Sequence, residues 1–420
     1  MHILMLSWEY PPLVIGGIAR HVHDLAHALA SQGRRVTVLT AGVAGAEPIE
    51  EETEWLTVHR VFPANPSASG IMGQVMQINL NLLERALTLA AAGEVFDLVH
   101  AHDWVTAYAG KALKHGLRLP LLATVHATEF GRNNGLHNDL QRRISDVEWW
   151  LCYEAWRVIC CSEYMSGELQ KVFQLPLDKI RVVPNGVCPD EFRSDPVPSG
   201  FRARYAAPDE LILFHVGRLV PEKGLGVLVA AMPMILKEHP QTKLLITGRG
   251  PYEAELKEQA RRLGVDNRVF FTGYIDDKTR NILYRLAEVA IFPSLYEPFG
   301  IVALEAMAAG APVLVSETGG LGEIIVHGRN GLKMHPGNAA SLAENVLWML
   351  KHPRQVERMR RQGLADIVEI YNWALLAGKT SRIYEEILSC DHSAPRFSPW
   401  EKTEHHEELN RYDYCEVSRY

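Results

Sequence analysis

The sequence predicts an α/β fold made of two Rossmann-like, doubly wound domains that face each other across a cleft. Short apolar runs alternate with longer amphipathic stretches along the first part of the chain. This alternation stops in a proline-rich, charged segment at 188–209 and then starts again. Strands that alternate with helices form a mostly parallel sheet with helices on both faces. A chain of 420 residues is long enough for two such domains, each with its own core.

The repeated pattern sets the expected limits of each part. We predict an N-terminal domain over 1–188, a C-terminal domain over 189–371, a helix over 372–390 that packs back on the N-terminal domain, and a disordered polar tail over 391–420. Strands are expected at 2–7, 36–40, 58–62, 96–100, 121–125, 158–161 and 180–187, then at 211–216, 243–247, 269–272, 289–292 and 312–316. The periodicity also predicts a first helix ended by Gly33, a helix within 139–156, helical structure over 338–371 and a further helix over 373–388.

Composition narrows the class of protein. Hydrophobic residues make up 47% and charged residues 22%, as in ordinary globular proteins. The net charge of -7 argues against nucleic acid as a partner. The chain runs from Met1 directly into an apolar strand and has no uninterrupted apolar run of about 18 residues, so we expect a cytoplasmic protein without a transmembrane segment. Peripheral membrane contact through Trp149 and Trp150 stays open, although aromatic residues at helical spacing favour core packing.

The stretch from Phe292 to Gly310 is the most informative part of the sequence. It predicts a strand, a loop that turns through Pro298 and Gly300, and a helix, with Glu297 on the loop and Glu305 on the helix. The free N–H groups and the dipole at the start of a helix favour an anion. Two carboxylates beside that anion site favour a ligand that carries hydroxyl groups as well as phosphate. A sugar nucleotide meets both needs, and eight helical positions span up to ~12 Å of it. The alternative is an ordinary capping Glu and a surface Glu.

A glycine pair follows the first strand. Gly16 and Gly17 open the helix that Gly33 ends. Without a Cβ, they let backbone N–H groups approach a phosphate or sugar, although tight packing explains many such turns equally well. The pair lacks the G-x-G-x-x-G spacing, and this departure argues against a nicotinamide dinucleotide site.

Polar residues follow two other strands of the first domain. Asp103 and Trp104 come after one strand, and His126 comes at the end of the next. In doubly wound sheets the carboxyl ends of the strands line the ligand crevice. A carboxylate and an indole face suit a sugar, so a metal site built from His100 and His102 is the less favoured interpretation.

Two cations follow the first strand of the second domain. Arg218 offers a planar fork to phosphate oxygens, and Lys223 offers a mobile point charge. Alone, the pair is as consistent with a solvated turn as with a diphosphate site. Together with Glu297 and Glu305, the two cations predict a binding site for a nucleotide sugar. The glycine-rich segment 318–323 is expected to meet the phosphate from another strand.

Several of these segments together resemble one family. They are Gly16-Gly17, His102-Asp103-Trp104, His126 to Glu129, Pro184 to Val187, Gly217-Arg218, Lys223-Gly224 and Glu297 to Glu305. The chain is similar to the retaining glycosyltransferases of family 4, which have the GT-B fold, and most similar to bacterial glycogen synthase-like α-glucosyltransferases. The resemblance covers the chain to about residue 388.

The resemblance implies roles that the residues alone do not give. On the donor side, Arg218 and Lys223 hold the diphosphate, Glu305 the ribose and Glu297 the donor sugar. The amides of Phe299, Gly300 and Ile301 also contribute to donor binding.

On the N-terminal, acceptor side, the resemblance places His126 at the 6-hydroxyl of the transferred glucose and Asp103 near the same sugar. Gly17 lets the domain close over the phosphate. Gly16 and Asn185 belong to the same donor-binding set.

The function implied is retaining transfer of glucose from ADP-glucose or UDP-glucose to an α-1,4-glucan, with no metal and no other cofactor. The sequence has Val14-Ile15-Gly16-Gly17 where typical ADP-glucose-dependent synthases carry Lys-x-Gly-Gly, which leaves the donor base and the acceptor open. Alternatives are sucrose- or trehalose-type synthesis, mannosyl transfer to a lipid or polysaccharide precursor, a sugar-nucleotide epimerase, and a silent carbohydrate-binding partner.

Overall fold

A computed structural model describes residues 1–62, 70–193 and 196–390. The predicted disordered tail, 391–420, lies outside the described residues. Within them, two sheets with helices on both faces confirm the predicted α/β class. No helix in the described part of the chain is both long enough and apolar enough to cross a membrane.

The first sheet has eight strands in the order β3-β4-β2-β1-β5-β6-β7-β8. The strands are β1 His2–Leu6, β2 Arg35–Ala41, β3 Ile49–Thr53, β4 Leu56–Val61, β5 Leu98–His102, β6 Leu121–Val125, β7 Arg157–Cys160 and β8 Ile180–Val182. All neighbours pair in parallel except β3 and β4, which are antiparallel. The sequence did not predict β3, because this mostly exposed edge strand carries three consecutive glutamates instead of an apolar run.

Helices cover both faces of this sheet. They are α1 Gly17–Ser31, α2 Gly70–Ala91, α3 Ala107–Gly116, α4 Glu129–Asn133, α5 Asp139–Glu154 and α6 Glu163–Phe173. As predicted, α1 ends just before Gly33, which has a φ of +74°. Leu25, Ala26 and Leu29 lie on its buried face, so the helix packs by its apolar stripe.

The second sheet has six parallel strands in the order β11-β10-β9-β12-β13-β14. They are β9 Leu211–Val216, β10 Thr242–Thr247, β11 Val269–Gly273, β12 Val289–Phe292, β13 Val313–Ser316 and β14 Leu332–Met334. The helices that follow are α7 Leu225–Glu238, α8 Glu253–Arg262, α9 Asp277–Leu286, α10 Ile301–Ala309 and α11 Gly319–Ile324. Strand β14 was not predicted, since three residues are too few to show a period.

The stretch 338–371 is helical as predicted, in two helices, and the further predicted helix follows it. They are α12 Ala339–Lys351, α13 Pro353–Glu369 and α14 Trp373–Cys390. Pro353 separates α12 from α13, because proline has no N–H to donate into a preceding turn. Helix α14 lies against the first domain: its Trp373 donates to Asp24 of α1 at 3.0 Å, and its Tyr384 bonds His100 of β5 at 2.8 Å.

The two halves contact each other around the loop between β12 and α10. Ser162 donates to the carbonyl of Pro298 at 2.6 Å. Glu323 of α11 accepts the backbone N–H groups of Glu163 and Tyr164, the first residues of α6. These bonds hold the carboxyl ends of the two sheets face to face, and the space between them is the cleft.

Candidate active site

A cavity of roughly 530 Å³ lies in this cleft. The first domain contributes the predicted residues Gly16, Gly17, Asp103, His126 and Asn185 to its lining, together with Glu9, Trp104, Glu129 and Arg132. The second domain contributes the predicted residues Arg218, Lys223, Glu297, Phe299, Gly300 and Ile301. The structure therefore brings together every predicted site residue except Glu305, which does not line the cavity.

The stretch 292–310 folds as the sequence predicts. Strand β12 leads into a loop, and α10 begins after Gly300, which has a φ of +107°. A Cβ on Gly300 would also lie 2.4 Å from the Leu321 side chain, so both the backbone and the space require glycine here. The loop places the Glu297 carboxylate at the cavity, where its Oε2 accepts from Lys223 Nζ at 2.6 Å and from Ser294 Oγ at 3.0 Å.

Arg218 and Lys223 differ in how tightly they are held. The Lys223 side chain is 18% exposed and paired with Glu297, whereas Arg218 is 55% exposed and lies 3.5 Å from Glu222. Lys223 is followed by Gly224, where a Cβ would lie 2.0 Å from the Pro293 carbonyl oxygen, so the backbone here packs directly on the loop after β12. Arg218 is thus an exposed cation, and Lys223 is a mostly buried one held by Glu297.

Glu305 lies in α10, below the cavity. It is buried, and its carboxylate lies 3.9 Å from Arg20 of α1, 3.7 Å from Arg280 of α9 and 3.5 Å from the Tyr284 hydroxyl. Arg20 also pairs with Asp277 at the start of α9. In this arrangement Glu305 joins the two domains through Arg20, and its predicted contact with the ribose stays a prediction.

The beginnings of two helices face each other across the cleft. Gly17 starts α1 and Ile301 starts α10, and a Cβ on Gly17 would lie 3.2 Å from the Ile301 side chain. Both helix starts present unpaired N–H groups and the positive end of a dipole to the same space. An anion placed there is attracted by both domains at once.

Glu9 shapes the loop ahead of α1. Its Oε2 accepts the N–H groups of Ile15 at 2.8 Å and Gly16 at 2.7 Å. Burial raises the pKa of this carboxyl, and the neighbouring Asp103 raises it further, against the effect of the two N–H groups. We predicted no role for Glu9 from the sequence, although an acidic residue just after the first strand was a usable signal.

The buried Asp103 and the half-buried His126 form a pair at the ends of β5 and β6. The backbone N–H of His126 donates to Asp103 Oδ1 at 2.8 Å. Asp103 has a φ of +60°, a region that non-glycine residues rarely adopt, so its carboxylate is held in place at some backbone cost. Burial raises the pKa of Asp103 to about 6 and lowers the pKa of His126 to about 3. His126 is therefore a neutral imidazole at physiological pH.

Two further histidines lie behind His126. His21 bonds Asn185 Oδ1 at 2.6 Å, and His102 Nδ1 lies 3.2 Å from His126 Nε2. One ring nitrogen from each of His21, His102 and His126 lies within 4.8 Å of the other two, so these rings have the spacing of a metal-binding group. The predicted alternative from His100 and His102 is less suitable, because His100 bonds Thr124 and Tyr384 through its two nitrogens.

The glycine-rich segment 318–323 packs against the loop that carries Glu297. A Cβ on Gly319 would lie 1.9 Å from the Glu297 carbonyl oxygen, and one on Gly320 would lie 2.4 Å from Phe299 Cα. These glycines therefore let α11 approach the loop closely and help to position it, and the predicted contact of the segment with phosphate stays a prediction.

Side chains from distant parts of the chain also hold this loop. Glu168 accepts from the hydroxyls of Tyr296 at 3.0 Å and Thr128 at 2.6 Å. Thr128 and Tyr296 lie in segments on which the predicted site rests, but nothing in the sequence indicates Glu168 as their shared partner, because it is far from both along the chain and belongs to no motif.

The two neighbouring tryptophans of α5 lie in different environments. Trp150 packs against Tyr108, whereas Trp149 is 44% exposed and stacks on Tyr153.

Comparison with known proteins identifies the family. Residues 15–191 match the family described as Glycosyltransferase Family 4, and residues 201–365 match the one described as Glycosyl transferases group 1. An uncharacterized glycosyltransferase of Methanocaldococcus jannaschii is 38% identical over 92% of this chain and 98% of its own length. The chain is a family 4 glycosyltransferase. The predicted enzyme class, a hexosyltransferase, is confirmed.

Other relatives differ in the reactions that their names describe. A glycogen synthase of Mycobacterium tuberculosis is 36% identical over 91% of this chain and 94% of its own length. Sucrose-phosphate synthase from Thermosynechococcus elongatus superposes with a TM-score of 0.80 at 26% identity, over 93% of this chain and all of that one. Starch synthase IV from Arabidopsis thaliana, bound to ADP and acarbose, superposes with a TM-score of 0.73 at 17% identity, over 93% and 99%. These structures confirm the GT-B fold.

Proposed function

We propose that this glycosyltransferase moves glucose from ADP-glucose or UDP-glucose to an α-1,4-glucan, with retention of the anomeric configuration. The observation that carries the proposal is the pair of helix starts at Gly17 and Ile301, with Lys223 and Arg218 on one side of the cleft and neutral His126 on the other. Anion-binding amides and cations suit a diphosphate, and a neutral imidazole suits a sugar hydroxyl. The likeness to a glycogen synthase supports the choice of acceptor.

The proposed step breaks the bond between the glucose C1 and the diphosphate oxygen, and forms a bond from C1 to an acceptor hydroxyl on the same face. Lys223, Arg218 and the helix-start amides stabilise the charge that develops on the departing diphosphate. The acceptor proton passes to the departing phosphate oxygen. Glu297 is held by Lys223 and Ser294, which fits a carboxylate that accepts sugar hydroxyls better than a free nucleophile. We expect no metal in this step.

A second candidate is transfer to a small phosphorylated sugar or polyol. Arg132 lines the cavity on the acceptor side and makes no side-chain hydrogen bond or ion pair with the described residues. A guanidinium with free donors is suited to a phosphate group. Relatives described as D-inositol 3-phosphate glycosyltransferase, one of them 30% identical over 91% of this chain, favour the same chemistry.

The test measures nucleotide release from ADP-glucose and from UDP-glucose with three acceptors: none, maltooligosaccharides, and a phosphorylated sugar such as glucose 1-phosphate. Product analysis by mass spectrometry identifies each transfer. Release that depends on maltooligosaccharide and lengthens it supports the first proposal and identifies the donor. Release with the phosphorylated acceptor alone supports the second, and Arg132→Ala should then raise KM for that acceptor by about tenfold or more. Release without acceptor, together with a changed donor sugar, contradicts both and favours an epimerase.

A further inference from the structure

A second histidine cluster lies outside the cleft, on α1 and β3. His23 and His27 are four residues apart on α1, so both project from one side of the helix. Glu52 reaches them from the edge strand β3. One ligand atom from each of these three residues lies within 4.8 Å of the other two. We call this group the α1–β3 cluster; none of its members lines the cavity described above.

The cluster has the outer contacts expected of a metal site. His23 Nδ1 lies 2.8 Å from Asp24 Oδ1, which leaves its Nε2 for another partner. Asp24 is itself fixed, because Trp373 of α14 donates to its other oxygen at 3.0 Å. A carboxylate that orients a histidine in this way is the usual second partner of a metal-bound imidazole. Tyr10 likewise donates to Glu52 Oε2 at 2.6 Å.

The charges and exposure of the cluster also suit a cation. Asp24 and Glu52 supply two carboxylates around two imidazoles. The His23 and His27 side chains are 35% and 36% exposed, so an ion can enter from solvent, whereas Glu52 is 13% exposed. His27 Nε2 lies 2.7 Å from Glu52 Oε2, a contact in which a metal ion can replace the shared proton.

We propose that the α1–β3 cluster binds one Zn²⁺ ion through His23, His27 and Glu52. Two imidazoles and one carboxylate are a common zinc donor set, with neighbouring ligand atoms about 3.3 Å apart around a tetrahedral ion. Small side-chain rotations bring the present spacing to that value. The ion fastens the exposed edge strand β3 to α1, the helix whose first residue lines the cleft, and this role is independent of the transfer reaction.

The test is equilibrium dialysis of the chain, without an affinity tag, against Zn²⁺ at about pH 7.5, because zinc binding to histidine competes with protons and weakens at low pH. We expect one tightly bound ion. His27→Ala should weaken its binding about 100-fold or more, because it removes a ligand, and Asp24→Asn should weaken it about tenfold, because it removes only the orienting carboxylate. His115→Ala, which removes an exposed histidine far from the cluster along the chain, should leave binding unchanged.

Two further variants exclude other histidine groups as the zinc site. His126→Ala disrupts the cleft histidines, and a double variant of His405 and His406 removes the histidine pair of the polar tail. Both should keep the tight ion. The location is checked independently by amide hydrogen exchange, since Zn²⁺ should slow exchange in 49–53 of the wild type but not of His27→Ala. No tight ion, or a tight ion that survives His27→Ala and is lost in either other variant, would overturn the proposal.

Discussion

The two domains line the cleft with side chains that differ in charge and in the direction of their pKa shifts. On the second domain, Arg218 is more than half exposed, and Lys223 and Glu297 form a mostly buried ion pair. On the first domain, Asp103 is buried and His126 is half-buried, and the pKa values of both are shifted toward their neutral forms. The first arrangement stabilises a charge that appears during reaction, and the second offers directional hydrogen bonds to groups that stay neutral.

The difference shows how one fold supports both halves of a transfer reaction. Both walls use the carboxyl ends of parallel strands, where loops are free to vary. In the second domain the loops carry cations and glycines that bring backbone close to the ligand. In the first, strands β5 and β6 are followed by two polar side chains that line the cavity, the buried Asp103 and the half-buried His126. Substitutions on the two walls should therefore differ in size and in pH dependence.

The largest effect is expected from Lys223→Ala. This change removes the fixed cation nearest the proposed diphosphate and leaves Glu297 without its partner at 2.6 Å. We expect kcat/KM for the nucleotide sugar to fall by about 10²–10³-fold, the usual loss for one charge-stabilising group. The measurement is initial-rate nucleotide release over a range of donor concentrations.

A matched control breaks a lysine–glutamate pair elsewhere. Lys257 pairs with Glu253 on the exposed face of α8, and Lys257→Ala should leave kcat/KM within about twofold of wild type. Equal kcat/KM for Lys223→Ala and wild type would contradict the proposal that Lys223 stabilises the departing diphosphate.

A smaller loss, about 10²-fold in kcat/KM, is expected from His126→Ala. Because the pKa of His126 is lowered to about 3, the ring stays neutral across the usual assay range. The wild-type pH profile should then show no inflection from this histidine near its ordinary pKa. Rates of the variant measured from about pH 5 to 8 should run parallel to those of the wild type. A histidine inflection that is present in wild type and absent in His126→Ala would show that the ring titrates in the working range.

Asp103→Asn should lower kcat/KM by about tenfold at about pH 7.5, because the amide still accepts the His126 N–H but no longer offers a carboxylate to the sugar. The wild-type rate should fall as pH drops through about 6, where Asp103 gains a proton, and this inflection should be lost in the variant.

The same variant should be more stable than wild type at neutral pH. The folded pKa of Asp103, about 6, lies above the ordinary value of 3.8, so the protonated form is favoured by folding. The protonated carboxyl contributes its full stabilisation of the folded state below about pH 4, and this contribution is lost as pH rises through about 6. Replacing the buried carboxylate should therefore raise the free energy of unfolding at about pH 7.5 by up to about 3 kcal/mol, and by less at about pH 5. Thermal unfolding at the two pH values measures the gain as an increase in Tm. An equal gain at both pH values would contradict a titration-linked effect.

The sequence predicted the elements and most of the cleft, but not what holds them together. Strand ends and glycine turns are local features, so Gly17, Asp103, His126 and Glu297 could be found from periodicity and position. The bonds from Ser162 to Pro298 and from Tyr296 to Glu168 depend on the packing of distant segments, which no local pattern shows. The partners of Glu305 were not predicted for the same reason, since nothing near it in sequence indicates Arg20 and Arg280.

The smallest effect on KM is expected from substitutions of Gly16 and Gly17, the two neighbouring glycines at the start of α1. A Cβ on Gly17 would lie 3.2 Å from Ile301 Cδ1, a tight contact from which the Ile301 side chain has to move by a few tenths of an ångström, whereas one on Gly16 has its nearest neighbour, a Glu9 oxygen, at 4.0 Å. Gly17→Ala should therefore raise KM for the nucleotide sugar by roughly threefold to fivefold, because a small displacement of positioning groups weakens binding. Gly16→Ala should change it by less than about twofold. Donor titration of both variants checks the pair, and a larger effect at Gly16 would mean that the loop held by Glu9 matters more than the contact between the helices.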